Sequence, residues 1–233
     1  MHARASRFGL AATVFAALLM VSAGTVAAGT GGPSPAPGTT TQNGKSADVG
    51  TFDCGSNGDG TTTCTGFSLN VFAGKMTDNV TGVTHSNQVC LGLDTWTTSD
   101  ETGEFVGTAV SERGCALDLP NGAIKFGTNL SSATLVGVHF SVQRFDCTDK
   151  SNCIPGEIRT VAVTGSWVGV GPITSTKYRL SFGDGVCTEN DSGKGTARQA
   201  TFSGTIDGIA AGSNGYATMN DGKFTYRTRC SGV

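Results

Sequence analysis

The segment Arg144–Cys153, RFDCTDKSNC, repeats the pattern of Thr51–Cys64, TFDCGSNGDGTTTC, 93 residues earlier. Each opens on Phe-Asp-Cys, runs through a short polar loop and closes on a second Cys. Each is followed by an apolar-alternating stretch and a more widely spaced Cys pair, Cys90 with Cys115 and then Cys187 with Cys230. The arrangement predicts an internal duplication, with related halves over 48–139 and 140–233.

Between the paired cysteines the chain alternates apolar and polar residues, and no long stretch carries the i, i+3, i+4, i+7 pattern of an amphipathic helix. Val, Thr, Phe and Gly are plentiful, a composition that suits strands and tight turns. From Ala133 to Phe145 the alternation places Val136, Val138, Phe140 and Val142 on one face. Gly137, His139, Ser141 and Gln143 fall on the other. Asn121-Gly122, Asp184-Gly185 and Asp221-Gly222 have the chemistry of type I′ hairpin turns, and Thr102-Gly103 that of a looser one. The fold class that follows is all-β, a disulfide-stapled antiparallel β-sandwich of two related halves, in one domain or two. An immunoglobulin pattern is not met, because Cys115 lies only 25 residues after Cys90 and that bridge would staple a hairpin.

The first residues read as an export signal. His2, Arg4 and Arg7 form a basic start, Phe8–Val21 an apolar run, and Val26-Ala27-Ala28 a small-residue cleavage site, so 1–28 is a signal peptide. The apolar run is too short for a membrane span. Residues 29–47, rich in Gly, Pro, Thr and Ser, read as a flexible linker. The expected protein is secreted and soluble.

All eight Cys follow that linker, and an even number in an exported chain predicts four disulfides. Nearest-neighbour pairing, Cys54–Cys64, Cys90–Cys115, Cys147–Cys153 and Cys187–Cys230, gives the halves equivalent bridges. Zinc is disfavoured, since there is no C-x-x-C and the mature chain holds only His85 and His139. Without Arg4 and Arg7 the chain has 14 basic and 18 acidic residues. The first half is acidic, and the second holds most of the Lys and Arg.

Several constellations can be weighed for chemistry. Asn190-Asp191-Ser192-Gly193 resembles the G-D-S-G neighbourhood of trypsin-like serine proteases. Asn190 and Lys194 depart from that pattern, and neither His has the family's setting, so a polar turn over Asp191–Gly195 is the plainer reading. Glu104, Glu157, Asp94, Asp118 and Asp207 lie in or beside strands, where two carboxylates could meet as in a glycosidase. With 7% aromatic residues and two Trp, the walls of a sugar-cleaving groove are missing. Asn57-Gly58-Asp59-Gly60 offers oxygen ligands for calcium without the D-x-D-x-D-G spacing, and a disulfide-closed turn explains the same residues.

Two features point to binding. Trp96 shares strand parity with Asp94, placing a large aromatic on a polar face. Lys177 and Arg179 alternate against Tyr178 and Leu180, and Lys223, Arg227 and Arg229 against Phe224 and Tyr226, forming a basic stripe. Such a stripe suits an anionic polymer, a glycan or nucleic acid; its structural alternative is protection of a sheet edge. The expected function is a secreted, non-enzymatic binding module that needs no cofactor or metal. The alternatives are a secreted hydrolase and a protease inhibitor presenting the Cys147–Cys153 loop. Sequons stand at Asn79, Asn129 and Asn190.

Overall fold

The computed structural model describes residues 38–107, 109–148, 153–183, 187–211 and 215–230. The expected signal peptide, the first part of the expected linker and the Asp184-Gly185 turn lie outside the described residues. So do the side chains of Cys187, Arg229 and Cys230.

Ten antiparallel strands form one sheet: β1 (Gly38–Ser56), β2 (Thr61–Asp78), β3 (Thr84–Ser99), β4 (Ala109–Ala116), β5 (Ile124–Phe126), β6 (Ser132–Cys147), β7 (Cys153–Gly183), β8 (Cys187–Ile206), β9 (Ile209–Ala211) and β10 (Gly215–Cys230). A 3-10 turn, Thr128–Leu130, joins β5 to β6. The order β10-β1-β2-β3-β4-β6-β7-β8 closes into a circuit because β10 also pairs with β8. The first strand thus hydrogen-bonds to the last, and β1 begins inside the segment read as linker. Residues Gly38–Ala47 are strand, paired throughout with β10 and, from Thr40 on, with β2 as well.

Disulfides join Cys54 to Cys64 across β1–β2, Cys90 to Cys115 across β3–β4 and Cys147 to Cys153 across β6–β7. In each, the two residues stand directly opposite in the strand register. The register also places Cys187 opposite Cys230. The two Phe-Asp-Cys segments therefore occupy corresponding places, each at a stapled hairpin.

One apolar cluster draws on most of the strands, with Val49, Leu69, Val89, Leu135, Phe140, Val161 and Met219 among its members. Trp167 is fully buried there against Phe202, ring centroids 4.9 Å apart, and its indole N–H donates to the backbone oxygen of Asp48. In β6 a bulge between Leu135 and Val138 shifts the alternation by one residue. Leu135, Val138, Phe140 and Val142 point inward as a result, while Val136, expected inside, is exposed.

The strands run longer than turn chemistry suggests, β7 to 31 residues, because several cross a line where inside and outside exchange. That line is a row of four glycines in register: Gly74 of β2, Gly44 of β1, Gly222 of β10 and Gly195 of β8. A Cβ on any of them would lie closer than 3.0 Å to a carbonyl oxygen of the adjacent strand. Only glycine permits that approach, which lets the sheet bend sharply. On one side of the row Ala47, Val49, Leu69, Val71, Ala217 and Met219 are buried. On the other side the same faces of β1, β2 and β10 carry exposed Asn43, Lys75 and Lys223. There the opposite face turns inward, burying Gln42, Met76, Asp191 and Gly193 and half-burying Phe224 and Tyr226. β7 makes its own exchange through an irregularity between Val170 and Thr174.

Two turn expectations fail for this reason. Asp221-Gly222 lies mid-strand in β10, opposite Lys45-Gly44 and Thr196-Gly195, and Asp191–Gly195 lies mid-strand in β8. Their glycines serve the bend, not a hairpin. Asn121-Gly122 and Thr102-Gly103 do form turns, with φ of 93° at Gly122 and 68° at Gly103, but Asn121-Gly122 is not the expected type I′ hairpin, since Asn121 keeps a negative φ and 117–120 is not strand.

Candidate anion-binding face

Beyond the glycine row, register brings together lysines that are far apart in sequence. Lys177 of β7 stands opposite Lys194 of β8, and Lys194 opposite Lys223 of β10. Lys223 faces Asn43 of β1, and Asn43 faces Lys75 of β2. All five residues are exposed. At the usual strand spacing this row is about 19 Å long. The next row along the same face reads Arg179, Ser192, Thr225, Thr41 and Thr77, and the one after it Ser181, Asn190, Arg227 and Thr39.

Among the described residues none of Lys75, Lys177, Lys194, Lys223, Arg179 and Arg227 enters a salt bridge. Like charges directly opposite on adjacent strands destabilise a sheet. Lys177, Lys194 and Lys223 make two such juxtapositions in succession. Edge protection accounts for Lys177 and Arg179, since this part of β7 pairs with β8 alone. It does not account for Lys194 or Lys223, whose strands are paired on both sides.

The structure thus joins four of the residues read from the sequence, Lys177, Arg179, Lys223 and Arg227, on one face, and adds Lys75 and Lys194. Arg229 stands opposite Thr188 in the register. Trp96 lies elsewhere. It is opposite Cys64 on β2, with its ring over Gly66, half-buried and outside the apolar cluster. Along β3 it is separated from Ser86, the partner of Lys75, by about 33 Å of strand.

The groups weighed for catalysis are dispersed or engaged. Asp191 is buried while half-buried Ser192, the register partner of Arg179, points to the other face, so the two cannot converge. The ring Nδ1 of His85 is 2.8 Å from Asp118, which that contact holds below the usual carboxylate range. Asp94 accepts from Arg113 at 3.0 Å and from Ser111 at 2.7 Å. Asp207 accepts from Arg159 and from the Ala162 amide, both lowering its pKa, and Arg159 also grips Glu112 at 2.6 Å. Glu104 and Glu157 are exposed. In the loop considered for calcium, Asp59 accepts from the Thr61 amide and hydroxyl.

One carboxylate was not singled out by the sequence. Asp48 lies beneath the bend, receiving hydrogen bonds from the Asn70 and Asn220 amides and the Ser46 hydroxyl. Desolvation outweighs those bonds and pushes its pKa up to about 6. Burial also raises the pKa of Tyr216 and of Tyr226, with the Asp48 charge adding to both.

No family model matches the chain, and no curated protein matches it. Among solved structures, an enduracididine biosynthesis enzyme, MppR with HEPES buffer bound, aligns over 85% of this chain and 88% of that one. With 9% identity and a TM-score of 0.30, that likeness carries no argument about fold or function. Among the described residues, no helix is long and apolar enough to cross a membrane.

Proposed function

We propose that the protein is a secreted, non-enzymatic binding module whose lysine face takes an anionic polymer. The observation that carries this reading is the direct opposition of Lys177, Lys194 and Lys223, continued to Lys75 through Asn43. A row of uncompensated cations costs stability in the free protein, and a polyanion laid across the strands relieves it while releasing its own counterions. The expected export signal, the three disulfides and the pairing of Asp94, Asp118 and Asp207 with neighbouring side chains support an extracellular scaffold over a hydrolase.

The Lys194→Gln/Lys223→Gln variant separates binding from a structural role because the two effects have opposite signs. Affinity for polygalacturonate at low salt is expected to fall about tenfold or more. The slope of log K against log salt should drop by about two. Stability should rise by about 0.5 kcal/mol as the like charges are removed. Calorimetric titration at several salt concentrations and urea denaturation read both. Unchanged affinity in the variant would overturn the reading.

A further inference from the structure

On the same face as the lysine row, across the glycine line, lies a cleft of about 400 Å³. Lys45, Asp221 and Thr196 line it, three residues in register with one another and one alternation away from Asn43, Lys223 and Lys194. Phe126, Leu130 and Ile173 supply its apolar walls. Lys45 and Asp221 form an ion pair at 3.8 Å, so the cleft offers a cation and a hydrogen-bond acceptor side by side. Ile173 is 41% exposed, an apolar side chain left open at the rim.

The opposite wall is held in a costly conformation. Asn129 and Leu130 are consecutive non-glycine residues in the left-handed region, φ 53° and 50°. Arg198 braces this wall from β8, donating to the carbonyls of Asn129 and of Gly171.

We propose that the anionic polymer of the lysine row is an acidic polysaccharide, and that this cleft holds one of its sugar rings. The inference rests on the proposed function of the row and names its ligand class. A sugar ring has an apolar C–H face for Phe126 and Ile173, hydroxyls for Asp221 and Thr196, and, in a uronate, a carboxylate for Lys45. Neighbouring lysines of the row stand one strand spacing apart, about 4.8 Å, a step comparable to one unit of an extended polysaccharide. Single-stranded nucleic acid fits less well, since it calls for aromatic platforms along the groove. The rows of this face carry Lys, Arg, Ser, Thr and Asn, while Tyr178, Phe224 and Tyr226 belong to the other face.

The test is calorimetric titration of the folded chain with hexagalacturonate and with the oligonucleotide dT12. Ile173→Ala is expected to weaken hexagalacturonate about tenfold and to leave dT12 unchanged. Lys45→Gln, at the half-buried lysine of the cleft, should act in the same direction. Lys194→Gln should weaken both probes. If the two cleft variants bind hexagalacturonate like the wild type while Lys194→Gln weakens it, the cleft assignment is overturned and the row stands. If Lys194→Gln changes neither probe, the row itself is overturned. Tighter binding of dT12 than of hexagalacturonate by the wild type would overturn the polysaccharide class.

Discussion

Gly195→Ala is expected to cost about 3 kcal/mol, a large part of the stability of a domain this size. The added Cβ would overlap the carbonyl oxygen of Asp221 and lie 2.8 Å from the Cα of Gly222. β8 cannot retreat, because Thr196 and Lys194 are paired to β7 on one side and β10 on the other. Each of the other three row glycines meets a neighbouring carbonyl in the same way, so the bend depends on all four. Gly137→Ala is the control. It lies in an exposed part of β6, where a Cβ meets nothing within 4 Å, and should change stability by less than about 1 kcal/mol. Urea midpoints of the two variants measure the difference. Wild-type stability in Gly195→Ala would mean that the strands do not approach this closely.

The second large effect is a pH dependence centred on Asp48. Its folded pKa, about 6, lies above the unfolded value of 3.8. Between those values the native chain holds a proton that the unfolded chain has released. The stabilising contribution is therefore complete below about pH 4 and is lost as pH rises through 6. The loss amounts to up to about 3 kcal/mol. Other carboxylates contribute in the opposite sense at lower pH: those of Asp59, Asp78, Asp118 and Asp207 have lowered pKa values. The informative quantity is thus the difference between wild type and Asp48→Asn, which keeps the shape and removes the charge. The variant should gain on the wild type from pH 4 to about pH 6 and level off by pH 7.5, by up to about 3 kcal/mol. A constant difference across that range would place the Asp48 carboxylate in contact with water.

The strand content was legible because period-2 alternation runs through most of each long segment, and the cysteine spacing pointed to hairpin staples that the register reproduces in three disulfides. What alternation could not reveal is which face is inside. The phase of β1, β2, β8 and β10 is unbroken in sequence, yet burial exchanges faces at the glycine row. For the same reason Asp221-Gly222 reads as a turn: a glycine that permits a close strand contact and one that permits a positive φ look alike in a sequence. A signal was nevertheless present. Gly44-Lys45, Gly74-Lys75, Gly193-Lys194 and Gly222-Lys223 are the Gly-Lys dipeptides of the chain, and all four fall on strands at the level of the bend. That recurrence would have linked Lys75 and Lys194 to the basic stripe. The polar setting of Asp48 was not available in this way, because Asn70 and Asn220 reach it only through pairing across β2 and β10. The wide separation of Trp96 from the lysines likewise depends on register.

Ligand binding is expected on the lysine face and not on the face bearing Trp96. The most direct measurement is a nuclear magnetic resonance titration with hexagalacturonate that follows the lysine side-chain signals and the two tryptophan indoles together. The signals of Lys75, Lys177, Lys194 and Lys223 are expected to shift with a common dissociation constant while the Trp96 indole N–H stays in place. A moving Trp96 signal beside stationary lysines, or no movement of any of them, would contradict it.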